Sequence, residues 1–131
     1  MTAEETLTRH AAELAQTTGL QVEVIAEDNR LFVVVHDYSL PEGVSKVAST
    51  DVLFIADTQY PFSAMDMFWT NVGVVRPDDS TFENSESIEQ YQECQWRRFS
   101  YHRNSTWNIA GNPLLDHFVF METRWTGKAL R

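Results

Sequence analysis

Two side chains that can act as nucleophiles lie in one aromatic-rich segment, which runs from Cys94 to Trp107. One is the thiol of Cys94 and the other is the hydroxyl of Ser100. A serine hydroxyl is a poor nucleophile at neutral pH unless a base lies within hydrogen-bond reach. His102 is two residues away, on the same side if the segment is extended. Covalent chemistry by one of these residues is therefore the first functional interpretation of the segment.

The same segment concentrates positive charge in an acidic chain. The sequence has 10 Lys and Arg residues against 19 Asp and Glu residues, which gives a formal net charge of −9. The local basic cluster consists of Arg97, Arg98, His102 and Arg103. A basic environment favours the thiolate form of Cys94, and Arg103 or Asn104 could stabilise negative charge that develops during attack. Over the rest of the surface, acidic charge disfavours phosphate backbones, so nucleic acid is not an expected partner.

Each of these residues also has an ordinary structural interpretation. Ser100 could be solvated or bonded to the backbone, and His102 could cap a turn. Cys94 could be a half-buried thiol, and Arg97 and Arg98 could be solvated charges beside an acidic loop. The residues alone leave the chemical and the structural interpretations open.

Several other classes of site and protein are disfavoured by composition. A single cysteine excludes an internal disulfide and a cysteine-rich zinc site, and the histidine spacing does not suggest a metal. No cofactor is therefore expected. The chain has no apolar run near the roughly 20 residues of a membrane span, and its start does not resemble a signal peptide. We expect a soluble, cytoplasmic protein without a membrane partner.

The first half of the chain predicts a helix followed by a meander. Apolar residues recur at helical spacing between Thr2 and Thr18, and Gly19 follows as a stop. Runs rich in β-branched and aromatic residues then predict strands at Val22–Ala26, Leu31–His36, Val52–Ala56 and Met65–Val72. Short loops join consecutive strands, which predicts a four-stranded antiparallel meander.

The second half is predicted to be less regular until its end. Residues 76–87 are polar and acidic and predict an exposed loop, and an irregular stretch holds the candidate nucleophiles. Apolar positions between Leu114 and Trp125 then predict a C-terminal helix that closes the core. The whole pattern predicts one α+β domain over residues 1–131.

This order of elements, together with short motifs, resembles the ubiquitin-conjugating (UBC) superfamily. Phe54 with Asp57-Thr-Gln-Tyr60-Pro61-Phe62 looks like the family's segment before its last strand. Trp107-Asn-Ile with Asn112-Pro113-Leu114-Leu115 looks like its Trp-initiated entry into the second helix. The run from Trp96 to His102, with Trp107, is similar to the prokaryotic family E branch.

The resemblance implies a carrier that accepts the C-terminal glycine of a ubiquitin-like protein from an activating enzyme and passes it to a target protein. The family E branch is associated with bacterial operons that also encode a JAB-type peptidase, and antiviral defence is the setting this suggests. Ser100 lies seven residues before Trp107 and Cys94 thirteen, and the position of the family's cysteine favours Ser100. The acyl bond would be an oxyester on Ser100 or a thioester on Cys94. Predicted contacts with the partners are Arg97, Arg98, Arg103 and Trp107.

The chain departs from the superfamily pattern in two places. Ser63-Ala64-Met65 stands where ordinary members have a proline pair, and the His-Pro-Asn motif is missing. In ordinary members that asparagine stabilises the oxyanion formed when a lysine attacks the thioester. A second hypothesis is therefore an inactive UBC-like adaptor that binds a ubiquitin-like protein or an activating enzyme. A third is a small α+β ligand-binding or immunity-type protein.

Overall fold

The computed structural model describes residues 2–103 and 106–126, and these residues form two helices and six strands. The helices are α1 (Ala3–Thr18) and α2 (Pro113–Thr126), and the strands are β1 (Val22–Glu27), β2 (Arg30–Ser39), β3 (Ser49–Asp57), β4 (Phe68–Thr70), β5 (Ile88–Tyr91) and β6 (Cys94–Phe99). The strands form one sheet in the order β1-β2-β3-β4-β6-β5, and all neighbours are antiparallel. The α+β prediction is confirmed, but the sheet has six strands instead of the predicted four.

Helix α1 begins where the sequence supplies a complete capping box. The hydroxyl of Thr2 accepts a hydrogen bond from the backbone N–H of Glu5 at 3.0 Å, and the carboxylate of Glu5 accepts one from the N–H of Thr2 at 2.9 Å. The helix ends at Gly19, whose φ of 75° lies in the left-handed region that glycine adopts without strain. Leu7 and Leu14 lie fully buried against the sheet.

Strand β4 is shorter than the predicted span Met65–Val72. Met67 has a φ of 60°, so regular strand pairing begins only after it, at Phe68. The carbonyl of Met67 accepts a hydrogen bond from Nε2 of His117 at 2.7 Å. Helix α2 therefore fixes the backbone just before β4, and the sequence carried no local signal of this contact.

The prediction of an irregular segment starting at Cys94 is wrong for its first half, because β5 and β6 form a hairpin. The hairpin loop is Gln92 and Glu93, which have φ values of 54° and 61°, as expected for a primed two-residue turn. Along β6, Trp96 packs on one face of the sheet and Phe99 on the other. The charged residues between Trp96 and Phe99 interrupt the alternation of apolar and polar residues by which a strand is predicted. In the segment from Cys94 to Trp107, the irregular part begins after Phe99.

The acidic loop at residues 76–87 was predicted to be exposed, but two of its side chains are fully buried. Phe82 packs against Phe99 and Trp125, and Ser85 is buried nearby. The hydroxyl of Tyr101 also donates a hydrogen bond to a loop carbonyl at 2.6 Å. An aromatic residue inside a polar loop thus anchors the loop to the core.

Both faces of the curled sheet bury apolar side chains. The helices cover one face, where the ring of Trp125 contacts Phe68, Phe82 and Phe99. The second cluster consists of Phe32, Val34, Leu53, Trp69 and Trp96. Tyr91 on β5 contacts Phe32 on β2, with ring centroids 5.7 Å apart, although three strands separate β5 from β2 in the sheet order. The curl therefore brings the two hairpins together.

We predict that His117 makes the stability fall in mild acid. Its side chain is fully buried, and burial lowers the pKa of His117 from 6.5 to about 4. The unfolded chain binds a proton at this imidazole below pH 6.5, whereas the folded protein excludes it until the pH nears 4, so stability falls with pH over this range. Between pH 7 and pH 5 we expect a loss of about 2 kcal/mol in the free energy of unfolding from this residue. Urea unfolding of wild type and His117→Phe at both pH values measures this loss. The free energy of unfolding should fall between pH 7 and pH 5 by about 2 kcal/mol more in wild type than in His117→Phe.

His36 supplies a control of opposite sign. Its pKa is raised, chiefly by a hydrogen bond to Glu23. The stability that His36 contributes is therefore present below pH 6.5 and lost as the pH rises through the raised pKa. His36→Gln should enlarge the loss in acid. Equal pH dependence in wild type and His117→Phe would contradict a neutral, buried His117.

Candidate functional site

Ser100 is the first residue after β6, and it sits in a tight turn. Its backbone N–H donates to the carbonyl of Asn84 at 3.0 Å, and its half-buried hydroxyl accepts a hydrogen bond from Nε of Arg98 at 2.9 Å. The N–H of Tyr101 donates to the carbonyl of Phe99 at 2.9 Å, which closes a three-residue turn around Ser100. The backbone on both sides of this hydroxyl is therefore fixed.

Because of this turn, Ser100 and His102 do not lie on an extended segment, which was the condition for placing them on the same side. Nδ1 of His102 bonds to Oδ2 of Asp66 at 2.5 Å, while the Ser100 hydroxyl bonds to Arg98. Within the described part of the chain, no hydrogen bond joins Ser100 to His102. Two residues span at most about 7 Å of chain, so the two side chains remain neighbours.

His102 lies at a cavity of about 340 Å³ on the other side of the turn. Its lining residues are Ala64, Met65, Asp66, His102, Arg103 and Trp107. The guanidinium carbon of Arg103 lies 5.2 Å from the centre of a Trp107 ring, and the indole N–H of Trp107 donates to the carbonyl of Pro61 at 2.6 Å. The structure thus brings together three of the predicted site residues, His102, Arg103 and Trp107. Asn104 lies outside the described residues.

A buried hydrogen bond connects helix α1 to this cavity. Nδ1 of His10 and the hydroxyl of Tyr60 are 2.7 Å apart, and both side chains are buried. Burial lowers the pKa of His10 and raises the pKa of Tyr60, so both are neutral at pH 7 and the hydroxyl donates to the imidazole. The ring of Tyr60 meets Trp107 edge-on, with centroids 6.4 Å apart. Helix α1, the Tyr60 turn and the cavity wall are therefore one packed unit.

Arg97 and Arg98, which were predicted to contact partners, make hydrogen bonds inside the domain. Arg97 donates to the carbonyls of Val72 at 3.0 Å and Ser85 at 2.7 Å. Arg98 forms an ion pair with Glu89 at 2.8 Å in addition to its bond with the Ser100 hydroxyl. Both arginines are half-buried, and their hydrogen bonds hold the chain segments on either side of β6 in place.

Cys94 lies at the far end of the same strand. It is exposed, and it follows directly after the hairpin turn between β5 and β6. Six residue steps along a strand separate it from Ser100 by about 20 Å. The two candidate nucleophiles therefore belong to different surfaces, and only Ser100 is close to Arg98 and His102.

The Prokaryotic E2 family E model matches residues 7–126 of the chain. This range includes the whole sheet, helix α2, the cavity residues and all of α1 except its first four residues. The chain belongs to this family. No curated protein and no solved structure matches it at a significant level.

Family E membership confirms the UBC-like resemblance seen in the sequence. It supports a conjugating-enzyme-like role in general, as a transferase in ubiquitin-like conjugation that interacts with a ubiquitin-like protein and an activating enzyme. Neither α1 nor α2, the helices of the described residues, is long and apolar enough to cross a membrane. Among the described residues, no group of three or more His, Cys, Asp or Glu side chains is placed to hold a metal ion.

The sequence analysis did not identify the two acidic residues that pair with His102 and Arg98. Asp66 precedes its partner His102 by 36 residues, and Glu89 precedes Arg98 by nine. Asp66 stands in a segment that read as a strand, and Glu89 follows an acidic loop. Neither spacing corresponds to a local element, so only the pairing of β4, β5 and β6 could reveal these contacts.

We predict that Arg97→Ala lowers the stability of the domain. The variant leaves the carbonyls of the buried Ser85 and the exposed Val72 without their charged donor, and loss of the bond to Ser85 should cost about 1–3 kcal/mol in the free energy of unfolding. Arg97→Lys should not restore it, because an ammonium lacks the fixed fork of donors. Arg9→Ala on the exposed face of α1 is the control and should change stability by less than about 0.5 kcal/mol. Unchanged stability of Arg97→Ala in urea unfolding would contradict a structural role.

Proposed function

We propose that this family E protein carries a ubiquitin-like protein as an oxyester on Ser100. It receives the C-terminal glycine from an activating enzyme and passes it to a target protein. The observation that carries the proposal is the family match over residues 7–126, with Ser100 at the exit of β6, seven residues before Trp107. The hydrogen bond from the Arg98 guanidinium to the Ser100 hydroxyl also supports the proposal.

Arg98 gives Ser100 an environment suited to acyl transfer. Its guanidinium donates to the serine oxygen, so it favours negative charge on that oxygen as the proton leaves. Glu89 holds the guanidinium from the other side, and Trp69 and Tyr91 in turn donate to Glu89. Arg98 is therefore held in place before any reaction begins, which is the condition for effective electrostatic stabilisation.

His102 is the base in this proposal. Its Nδ1 is engaged with Asp66, which leaves Nε2 to take the proton from the serine hydroxyl. The imidazole is largely exposed, with a relative side-chain exposure of 68%, so Nε2 is accessible to the serine hydroxyl while Nδ1 stays bound to Asp66. During transfer the same nitrogen can accept a proton from the attacking group of the target.

Cys94 is less suited to the carrier role. Its thiol stands beside the hairpin turn, next to Glu93, and the fixed guanidinium groups of Arg97 and Arg98 are bound further along β6. Three to four residue steps correspond to about 10–13 Å. The basic environment that could favour a thiolate therefore lies closer to Ser100.

Partner contacts are part of the same proposal. Arg103 and Trp107 line the cavity beside His102, where the C-terminal tail of the ubiquitin-like protein would approach. The exposed side of α1 carries Glu4, Glu5 and Glu13 and would bind a basic patch on the activating enzyme. We place this activity in the bacterial cytoplasm, within an operon for ubiquitin-like conjugation, and antiviral defence is the proposed setting.

Reconstitution with the operon's activating enzyme, its ubiquitin-like protein and ATP tests the acceptor residue by intact mass. We expect an adduct that resists thiol reductant, is cleaved by mild alkali, and is absent in Ser100→Ala, because only an oxyester has this pattern. Cys94→Ala is the matched control and should form the adduct at the wild-type rate. Ser100→Cys should form an adduct that reductant now releases.

Two outcomes would contradict the oxyester. An adduct lost in Cys94→Ala and retained in Ser100→Ala would assign a thioester to Cys94. Co-purification of the ubiquitin-like protein without any covalent product would assign an adaptor role.

A further inference from the structure

We propose that Asp66 is a positioning residue that fixes the ring tautomer and orientation of His102 for proton transfer at Ser100. This inference rests on the proposed function. It is based on the hydrogen bond of 2.5 Å between Nδ1 of His102 and Oδ2 of Asp66, two residues that line the same cavity as Trp107.

The backbone holds Asp66 in place although its side chain is half exposed. On one side, Met65 is buried in the main core with 2% exposure. On the other side, the carbonyl of Met67 accepts a hydrogen bond from the fully buried His117. The carboxylate is thus presented by a short segment that is anchored at both ends, so it can hold the exposed imidazole at a fixed angle.

The hydrogen bond decides which nitrogen of His102 is basic. A carboxylate only accepts hydrogen bonds, so Nδ1 must carry the proton that lies between it and Asp66. Nε2 then has the free lone pair, and in the described part of the chain it has no hydrogen-bond partner. The ring is therefore prepared to accept a proton at Nε2, as in catalytic arrays where an aspartate orients a histidine.

Loading then proceeds with a balanced proton transfer. The O–H bond of Ser100 breaks, its proton moves to Nε2 of His102, and the serine oxygen bonds to the carbonyl carbon of the activated glycine. The bond from that carbon to the leaving atom of the activating enzyme breaks, and the leaving atom takes the proton from Nε2. Asp66 keeps its charge throughout and stabilises the imidazolium that forms between the two transfers.

Asp66→Asn tests this role with little change in shape. The amide can donate to Nδ1, which favours the opposite tautomer and places the proton on Nε2. At saturating activating enzyme, we expect the rate constant of adduct formation to fall about tenfold to hundredfold, the range for loss of a hydrogen bond to a charged group. The concentration of activating enzyme giving half the maximal rate should not change. Asp57→Asn, an exposed carboxylate before the same Tyr-Pro turn, should leave the rate constant unchanged.

A double variant separates positioning from an independent effect. If Asp66 acts only through His102, then His102→Gln with Asp66→Asn should be no slower than His102→Gln alone. A rate constant lower in the double variant than in His102→Gln would overturn the inference. Equal rate constants for wild type and Asp66→Asn, with His102→Gln slow, would also overturn it. If His102→Gln itself loads at the wild-type rate, the base assignment of the proposed function fails instead.

Nitrogen NMR of the imidazole tests the orientation without any activity. Long-range proton–nitrogen correlations at pH 8 should show the Nδ1–H tautomer of His102 in wild type and in Asp57→Asn. Asp66→Asn should shift the population toward Nε2–H. An unchanged tautomer in Asp66→Asn would overturn the inference even if no adduct forms with any variant, so the two failures can be told apart.

Discussion

The packing of Trp125 against three phenylalanines is the contact on which the rest of the domain depends. The indole is fully buried, and its rings lie 5.3 Å from Phe99, 5.7 Å from Phe68 and 6.1 Å from Phe82 between centroids. These partners come from β6, β4 and the acidic loop, so one side chain of α2 holds three separate segments. Aromatic side chains bury large areas, which makes such a contact strong enough to order polar neighbours. The turn at Ser100 starts directly after Phe99, so the packing of Phe99 in this core fixes where the turn lies.

A second anchor is the turn at Tyr60 and Pro61. Tyr60 meets His10 of α1 through its hydroxyl and Trp107 through its ring, and the carbonyl of Pro61 accepts the indole N–H of Trp107. Asn112, just before α2, donates to the backbone of α1 at 3.1 Å. Both helices and the cavity wall are therefore joined at one place. A surface of α1 that binds another protein would be mechanically continuous with the site.

The candidate site divides its charges between the two sides of the Ser100 turn. On one side, Arg98 donates to the serine oxygen and pairs with Glu89, and on the other, His102 pairs with Asp66 at the cavity. Arg98 and His102 therefore pair with different carboxylates.

The sequence by itself determined the elements that local patterns specify. The capping box at Thr2 and Glu5, the β-branched runs of the first strands and the apolar side of α2 each follow from neighbouring residues. The motif around Tyr60-Pro61 and Trp107 was enough to indicate the family. Contacts that join distant segments were decided by the tertiary structure, because pairing energies between strands do not appear in local periodicity. Three features arise only when β4, β5 and β6 assemble under Trp125. They are the burial of Phe82, the hairpin that separates Cys94 from Ser100, and the hydrogen bond between Asp66 and His102.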